Sequence, residues 1–365
     1  MTLIALLAWL YLAFLHGRFW QSGPTLAPAR PLAAPAVAVV VPARDEAEVI
    51  ARSIGSLLAQ DYAGPLRIVL VDDGSADATA AIARALPGAE RLTVIEGAAR
   101  PAGWAGKLWA VHQGVAATDA GLVLLTDADI EHEPAHIATL VARMDESGVD
   151  MVSEMVALNC RSFAERALVP AFVYFFAMLY PFEWVNDPLR ATAAAAGGTM
   201  LIRRRALDRI GGIEAIRGEL IDDVALARAV KRGGRIWLGH GGLARSIRPY
   251  PGFSDIWRMV TRSAYVQLRY SPVLLVLTTL GLLFIFITPP SATLLRHDWR
   301  GLAAWLLMGA TFLPTLRRFR LSPVWAVFLP VIAVFYMAAT VGSAVNHYRG
   351  RGVVWKRRAY AGTGA

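Results

Sequence analysis

Apolar runs that end abruptly in charged residues recur through the first third of the chain. The segments "AVAVVVPARDE", "LRIVLVDDGSAD", "LTVIEG" and "AGLVLLTDADI" each resemble a strand that is covered on both faces. Between them, "AEVIARSIGSLLAQ", "ADATAAIARAL" and "LWAVHQGVA" carry apolar residues at helical spacing. The alternation predicts an α/β domain over residues 35–250, with an open, mostly parallel sheet and helices on both faces.

Longer apolar segments frame this pattern. Thr2 to Leu15 has no charge, and with Phe19 and Trp20 at the interface it predicts a short transmembrane helix over residues 1–20. A signal peptide is the alternative, which the lack of a basic residue before the run disfavours. About three further apolar runs predict a C-terminal membrane region over residues 270–346.

The basic residues around these runs conflict in the orientation they indicate. Arg18 and Arg30 follow the first span, so its C-terminal end should face the cytoplasm. The run "RRFR" and the basic tail, residues 347–365, both favour the cytoplasmic side, although they flank a single apolar run. Either one of the three C-terminal runs is re-entrant, or the tail breaks the positive-inside tendency.

The segment "LVPAFVYFFAMLYPFEWV", residues 168–185, is also long enough to span a membrane. Pro170 and Pro181 bracket its apolar part, and a crossing would place the sequence before and after it on opposite sides. We therefore expect a helix that lies in the membrane interface or covers a groove. A buried core helix is the alternative.

Composition supports this membrane frame. The 365 residues are 56% hydrophobic with a formal net charge of +9, and a basic chain raises the question of nucleic acid. The arginines after residue 200 lead into an apolar span, so we expect an anionic lipid surface and no nucleic acid as the partner. These arginines are Arg203, Arg204, Arg205, Arg245, Arg248, Arg258, Arg262 and Arg269. The single cysteine, Cys160, excludes an internal disulfide and a cysteine metal cluster.

Acidic pairs follow three of the predicted strands, at the edge where α/β sheets bind ligands. A turn or helix cap would explain one pair, and we expect Asp77 to be such a cap. Three converging pairs instead favour a divalent cation, Mg²⁺ or Mn²⁺, that holds a nucleotide diphosphate. The pairs are Asp45 and Glu46, Asp72 and Asp73, and Asp127 and Asp129, with the last two expected on one face of a strand.

Other candidate positions have two interpretations each. Lys107 lies in a segment without P-loop spacing and either neutralises a phosphate or is a surface lysine. Gly197 and Gly198 indicate a close approach of the backbone to another group. Asp222 and Asp223 begin a predicted helix, where they complement the helix dipole or supply a general base.

Five of these segments, taken in order over roughly residues 37–240, resemble the family 2 glycosyltransferases, which have the GT-A fold. They are "VVVPARDE", "VDDGSAD", "LLTDADI", "AAGGTMLIRRRAL" and "IDDVALARAVKRGG". More narrowly, "RPAGWAGKLWAV", "YPFEWVNDP", "IRGELIDD" and "QLRYSP" look like the membrane glycosyltransferase associated with hopanoid (hopene) biosynthesis in bacteria.

The resemblance implies a nucleotide-sugar site at the sheet edge. Asp73, with Asp72 beside it, would bind the base or ribose of the nucleotide. Pro42 and Glu46 would line the same pocket, and Lys107 would contribute to nucleotide-sugar binding.

The resemblance also implies roles in the reaction. Asp129 would bind a metal ion that bridges the two phosphates, and Asp127 would assist through the sugar of the nucleotide. Asp223 would be the catalytic base of an inverting transfer. Beside it, Asp222 stands where the family usually has Glu, a mild departure.

A second departure concerns the region after the base. Processive members carry a Q/RxxRW element that "IWRMVTRSAYVQLRYSP" lacks, which disfavours processive polymerisation. The segment "VVWKRRAY" resembles a cytoplasmic tail element of related membrane transferases.

We therefore expect a multi-pass protein of the bacterial inner membrane with a cytoplasmic catalytic domain. It would move a sugar from a nucleotide-diphosphate sugar to a lipid acceptor, a hopanoid by resemblance. The alternatives are a non-catalytic membrane protein that binds lipid or scaffolds other enzymes on a retained nucleotide-binding fold, and a nucleotidyltransferase.

Overall fold

The computed structural model describes residues 1–350 and the short segments 354–355 and 358–359. The tail element expected at Val353 to Tyr360 therefore falls largely outside the described residues. The strands are β1 (Val37–Ala43), β2 (Leu66–Asp72), β3 (Leu92–Glu96), β4 (Leu122–Thr126), β5 (Ile130–His132), β6 (Met151–Ala157), β7 (Thr199–Arg203), β8 (Ile236–Ser246), β9 (Val354–Trp355) and β10 (Arg358–Ala359).

Helices flank this sheet, and further helices precede its first strand and follow β8. They are α1 (Thr2–Phe14), α2 (Ile50–Leu58), α3 (Thr79–Arg84), α4 (Gly106–Ala116), α5 (His136–Ser147), α6 (Phe163–Leu179), α7 (Phe182–Asn186), α8 (Arg204–Arg209), α9 (Asp222–Lys231), α10 (Phe253–Thr261), α11 (Ala264–Gln267), α12 (Pro272–Arg296), α13 (Trp299–Arg318) and α14 (Leu329–Tyr348).

The first half of the sheet follows the sequence prediction. Strands β3, β2, β1 and β4 lie side by side in that order, and each neighbouring pair is parallel. All seven residues of β1 are buried, because helices cover both faces of this strand. The carboxyl ends of these strands therefore meet at one edge.

The second half differs from the prediction, because the sheet is mixed rather than mostly parallel. The full order is β3-β2-β1-β4-β7-β6-β8-β5, and β7 runs antiparallel to both β4 and β6. Strand β5 is antiparallel to β8, while β6 and β8 are parallel. Since β7 enters the sheet opposite the end of β4, with Thr126 paired to Thr199, its leading turn reaches the ligand-binding edge.

Helix α6 covers the apolar segment 168–185 only in part and is mostly buried. Val173 and Ala177 pack into the core beneath the sheet, whereas Leu168 and Tyr174 pack among the C-terminal helices. Of the two alternatives for this segment, the structure therefore favours a buried helix between two layers over one lying in a membrane interface.

In the part of the chain that the structure describes, two helical segments are long and apolar enough to cross a membrane: Pro272–Arg296 and Pro323–Tyr348. Helix α13 packs against α12 as an antiparallel hairpin. At its end, Arg318 donates hydrogen bonds to Ser22 and Thr25, each 3.0 Å long, beside the sheet domain.

The end of α14 lies next to the start of α12. Tyr265, shortly before α12, and Tyr348, at the end of α14, share a hydroxyl contact of 2.9 Å. The side of a membrane that each basic run faces stays a prediction.

The N-terminal helix is shorter than expected. Helix α1 has 13 residues, which at 1.5 Å each gives about 20 Å, against about 30 Å for a hydrocarbon core. Its Trp9 is buried and donates a 2.7 Å hydrogen bond to the Ile285 carbonyl on α12. On this geometry α1 is a packing partner of the hairpin and only weak support for a span.

Candidate active site

A crevice opens at the carboxyl edge of the parallel strands. Its lining includes Pro42 at the end of β1, Lys107 in the first turn of α4, Asp127 after β4, Gly197 before β7 and Asp222 in the first turn of α9. Five elements that are remote in sequence thus converge, and four of these residues were predicted as site residues from the sequence.

Lys107 is the central cation of this crevice. Its ammonium lies 2.8 Å from Asp127 Oδ1 and 2.9 Å from Asp222 Oδ2, and its side chain is 21% exposed. Burial disfavours the charge of the ammonium, but the two carboxylates outweigh burial and raise the pKa of Lys107 above its usual range. Lys107 is therefore not a surface lysine.

The sequence pattern predicted that Asp127 and Asp129 share one face of a strand, but in the structure neither residue lies in a strand. Strand β4 ends at Thr126, and both aspartates lie in the turn before β5. Burial and the neighbouring Asp129 raise the pKa of Asp127, while Lys107 opposes that rise. The two carboxylates are compensated by different protein cations.

The cation at Asp129 is Arg248, which the sequence analysis assigned to a lipid surface. Arg248 Nε donates to Asp129 Oδ2 at 2.6 Å, and its Nη2 donates to both oxygens of Glu46 at 2.8 Å. The backbone beside it is fixed as well, since Ile247 N–H donates to the Asp129 carbonyl at 2.8 Å. In the sequence, the one feature that could have indicated this pairing is the position of Arg248 just after the end of a strand.

Several other arginines of the presumed lipid surface also have acidic partners within the protein. These pairs are Arg203 with Asp145, Arg205 with Asp150, Arg245 with Glu131 and Arg258 with Asp255. Their charges therefore serve local ion pairing.

Asp223 occupies the second position of α9, where two backbone amides hold its carboxylate. Gly197 N–H donates to Oδ2 at 3.0 Å, and Val224 N–H donates to Oδ1 at 2.7 Å. Burial and the neighbouring charge of Asp222 raise the pKa of Asp223 to about 7. A carboxylate with that pKa can take and release a proton near neutral pH.

The DDGS segment forms a tight loop at the end of β2. Asp72 accepts a 3.0 Å hydrogen bond from Ser75 N–H, and Asp73 lies 3.5 Å from Arg44. Both aspartates are buried, outside the lining of the crevice itself. Asp77 accepts from Thr79 N–H at 3.0 Å, but Ala78 is the N-cap of α3, so Asp77 lies one residue before the cap position that was expected for it.

The acidic side chains of the crevice suit a divalent metal ion that the protein binds only in part. Within residues 1–350, no three acidic, histidine or cysteine side chains form a cluster that could hold a metal ion. Asp127 and Asp129 nonetheless offer hard carboxylate oxygens at the open edge. This donor set fits an ion that takes its remaining ligands from substrate phosphates and water.

Residues 38–211 match the family model described as Glycosyl transferase family 2. The matched residues make up just under half of the chain, and over this part the chain is similar to the family 2 glycosyltransferases. This part contains the first four of the five sequence marks, while the acidic pair on α9 and Arg248 lie beyond it.

Individual relatives agree with the family match. The chain is 31% identical over 153 residues to the succinoglycan biosynthesis protein ExoO of Rhizobium meliloti (strain 1021), covering 38% of this chain and 42% of that protein. It is 33% identical over 95 residues to the 4,4'-diaponeurosporenoate glycosyltransferase of Staphylococcus aureus (strain MRSA252), covering 26% and 24%. The chain thus spans less than half the length of these curated relatives.

A solved structure extends the likeness in fold to nearly the whole chain. The mannosyltransferase PcManGT from Pyrobaculum calidifontis, in complex with GDP-Man and Mn²⁺, superposes with a TM-score of 0.56 at 20% identity. The match covers 95% of this chain and 99% of that one. The expected GT-A-type α/β fold is thereby confirmed.

Proposed function

We propose that this protein is an inverting glycosyltransferase that moves a sugar from a nucleotide-diphosphate sugar to a lipid acceptor at a membrane. The observation that carries the proposal is the Asp223 carboxylate, with a pKa of about 7, held beside the Lys107 ion pairs in the crevice. A general base poised near neutral pH and a cation for a leaving phosphate are what such a transfer needs.

The donor would lie along the sheet edge. Asp72 and Asp73 would contact the nucleoside, Pro42 would line its pocket, and Lys107 would face the diphosphate once its ion pairs open. Mg²⁺ or Mn²⁺ bound at Asp129 would stabilise the charge that develops on the departing nucleoside diphosphate. The complex of PcManGT with GDP-Man and Mn²⁺ supports this class of donor.

The acceptor step needs one base. Asp223 would remove the proton of an acceptor hydroxyl as its oxygen attacks the anomeric carbon opposite the leaving phosphate. The carbon–oxygen bond to the phosphate breaks as the new glycosidic bond forms, so the configuration inverts. The amides of Gly197 and Val224 keep the carboxylate oriented during this step.

A lipid acceptor is supported by the apolar surface beside the sheet domain. Helix α12 has only Phe286, Pro289 and Ala292 buried, and exposes most of its other apolar side chains. Such a surface suits contact with a membrane in which an apolar acceptor is dissolved. The hopanoid rests on the resemblance of sequence motifs, which the acceptor experiment tests.

The deciding experiment measures binding of a panel of UDP- and GDP-sugars to the detergent-purified protein, first with Mn²⁺ and then with EDTA. We expect one donor to bind with Mn²⁺ and to lose binding in EDTA and in Asp129→Ala. Transfer from that donor is then assayed with hopanoid and non-hopanoid lipid acceptors.

Each failure has a distinct meaning. Folded protein that binds no nucleotide sugar supports the non-catalytic alternative. Release of pyrophosphate from a nucleoside triphosphate identifies a nucleotidyltransferase instead. Donor binding with transfer only to non-hopanoid lipids removes the hopanoid and leaves the lipid glycosyltransferase.

A further inference from the structure

Three ionisable side chains are packed together in the interior behind the crevice, and the proposed transfer uses none of them. His132 on β5, His136 in the first turn of α5 and Glu154 on β6 are 3%, 0% and 0% exposed. His132 Nδ1 lies 2.9 Å from His136 Nδ1, and His136 Nε2 lies 2.9 Å from Glu154 Oε1. Burying such groups is costly unless they are paired, so this histidine cluster calls for a reason.

Thr126 connects the histidine cluster to the crevice. Its hydroxyl oxygen lies 3.2 Å from His132 Nε2 and 2.7 Å from the Gly198 carbonyl oxygen. Thr126 ends β4, and Gly198 directly follows Gly197, whose amide holds the Asp223 carboxylate. A run of polar contacts therefore leads from the interior to the Gly197–Gly198 turn, and the backbone of that turn carries the amide that holds Asp223.

The Gly198 carbonyl lies at one end of this run and determines which atom is the donor in each of its hydrogen bonds. The Gly198 carbonyl carries no proton, so the Thr126 hydroxyl donates to it and accepts from His132 Nε2–H. Burial and the neighbouring His136 lower the pKa of His132 well below its usual value, so this ring is neutral and its Nδ1 is an acceptor. His136 Nδ1–H must then be the donor, and one further proton lies between His136 Nε2 and Glu154.

The innermost contact joins His136 to Glu154. Within residues 1–350, neither oxygen of Glu154 nor His136 Nε2 has an aligned hydrogen bond, so the 2.9 Å approach of Nε2 to Oε1 is a close polar contact. A proton between the two groups makes this contact either an imidazolium with a carboxylate or a neutral ring with a carboxylic acid. In both cases His136 Nδ1 keeps its proton, so the order of the run does not depend on where the shared proton lies.

We propose that His132, His136 and Glu154 form a proton-ordered relay that positions the catalytic base through Thr126 and the Gly197–Gly198 turn. Because His132 Nε2–H donates to the Thr126 oxygen, the Thr126 hydroxyl donates to the Gly198 carbonyl. This bond holds the turn before β7 against the end of β4. The amide of Gly197 is thereby aimed at Asp223. This inference rests on the proposed function, since it assigns positioning residues for that transfer.

Two matched pairs of variants test the coupling of the relay to the reaction. Thr126→Val removes the hydroxyl and Thr126→Ser keeps it, so the pair differs in the bond to Gly198. Glu154→Met removes the partner of His136, whereas the amide of Glu154→Gln can donate to His136 Nε2 and preserve the order of protons.

We expect Thr126→Val and Glu154→Met to lower kcat at least about tenfold, with KM for the donor within about twofold of wild type. Thr126→Ser and Glu154→Gln should stay within about threefold of wild type in kcat. A wild-type kcat in Thr126→Val, or an equal loss in Glu154→Gln and Glu154→Met, would overturn the proposal. Donor binding and melting temperature establish folding, and if Glu154→Met does not fold, the Thr126 pair decides.

A spectroscopic readout separates this proposal from the proposed function. In protein labelled with ¹⁵N at its seven histidines, His132 should show a protonated Nε2 and an unprotonated Nδ1 at neutral pH. The His132→Asn spectrum assigns the signal. A proton on His132 Nδ1 overturns the relay whether or not the protein transfers sugar, whereas a wild-type protein with the expected tautomer and no transfer to any acceptor overturns the proposed function.

Discussion

Asp223 combines two features that a general base requires. Its carboxylate is oriented by two backbone amides, and its pKa is raised to about 7 by burial and by Asp222. Since only the unprotonated carboxylate can serve as the proposed base, kcat/KM should rise about tenfold per pH unit below pH 7 and level off above it. In Asp222→Asn, which removes the neighbouring negative charge, the pH profile scaled to its own plateau should shift toward acid.

Replacing the proposed base gives the direct test. Asp223→Asn keeps the size of the side chain but cannot accept the proton, so kcat should fall by about 10² to 10⁴ while donor binding persists. Asp208→Asn, at an exposed position on α8, is the matched control and should keep wild-type kcat. Full activity in Asp223→Asn would remove this residue from the mechanism.

Arg248 competes for the carboxylate that is expected to bind the metal. It bonds to Asp129 at 2.6 Å and to Glu46 at 2.8 Å, so a divalent ion must replace a resident cation. We expect Arg248→Ala to bind Mn²⁺ on the order of tenfold more tightly in nucleotide-free protein, measured by titration calorimetry. Arg245→Ala, which loses only an ion pair with Glu131, should leave Mn²⁺ affinity unchanged. Equal or weaker binding in Arg248→Ala would contradict this role.

At the scale of elements, the contact between α4 and the sheet sets the position of Lys107. A Cβ at Gly114 on α4 would lie 2.4 Å from Val40 Cγ1 on β1, so the helix cannot approach as closely with alanine. Gly114→Ala should lower the melting temperature, with a loss of about 1–3 kcal/mol in the free energy of unfolding. A higher melting temperature would show that α4 can move away at no cost.

Gly55 on α2 supplies the opposite case. A Cβ there would meet nothing within 4 Å, and alanine favours helix over glycine. Gly55→Ala should therefore raise the free energy of unfolding by up to about 1 kcal/mol, measured in the same denaturation experiment.

The strands show which features of the sheet a local sequence pattern can predict. Four apolar runs predicted β1 to β4 and the edge where their charged ends meet, since an apolar run and the charges that follow it are local features of the sequence. The antiparallel insertion of β7 was not predicted, because a strand buried on both faces has the same pattern in either direction. That insertion brings Gly197 to Asp223.

For the whole molecule, the exposed apolar surface of α12 is where membrane association can be tested. Leu277 and Leu280 are 61% and 58% exposed. The double variant Leu277→Lys and Leu280→Lys should lose flotation with liposomes, because lysine costs about 2.5–3.5 kcal/mol at the centre of a membrane helix. Leu189→Lys, at a 92% exposed position in the sheet domain, should float like wild type. Equal flotation of all three proteins would exclude α12 as a membrane contact.

The sequence by itself determined the α/β class, the edge of the sheet that carries the site and most of its acidic residues. These depend on periodicity and on charges next to strand ends, which are local properties. Only the tertiary structure decided how the charges are paired. Lys107 joins Asp127 to Asp222, and Arg248 joins Asp129 to Glu46, over separations that no local pattern records. Such pairs form because folding brings remote strand ends together, and burial then requires each charge to have a partner.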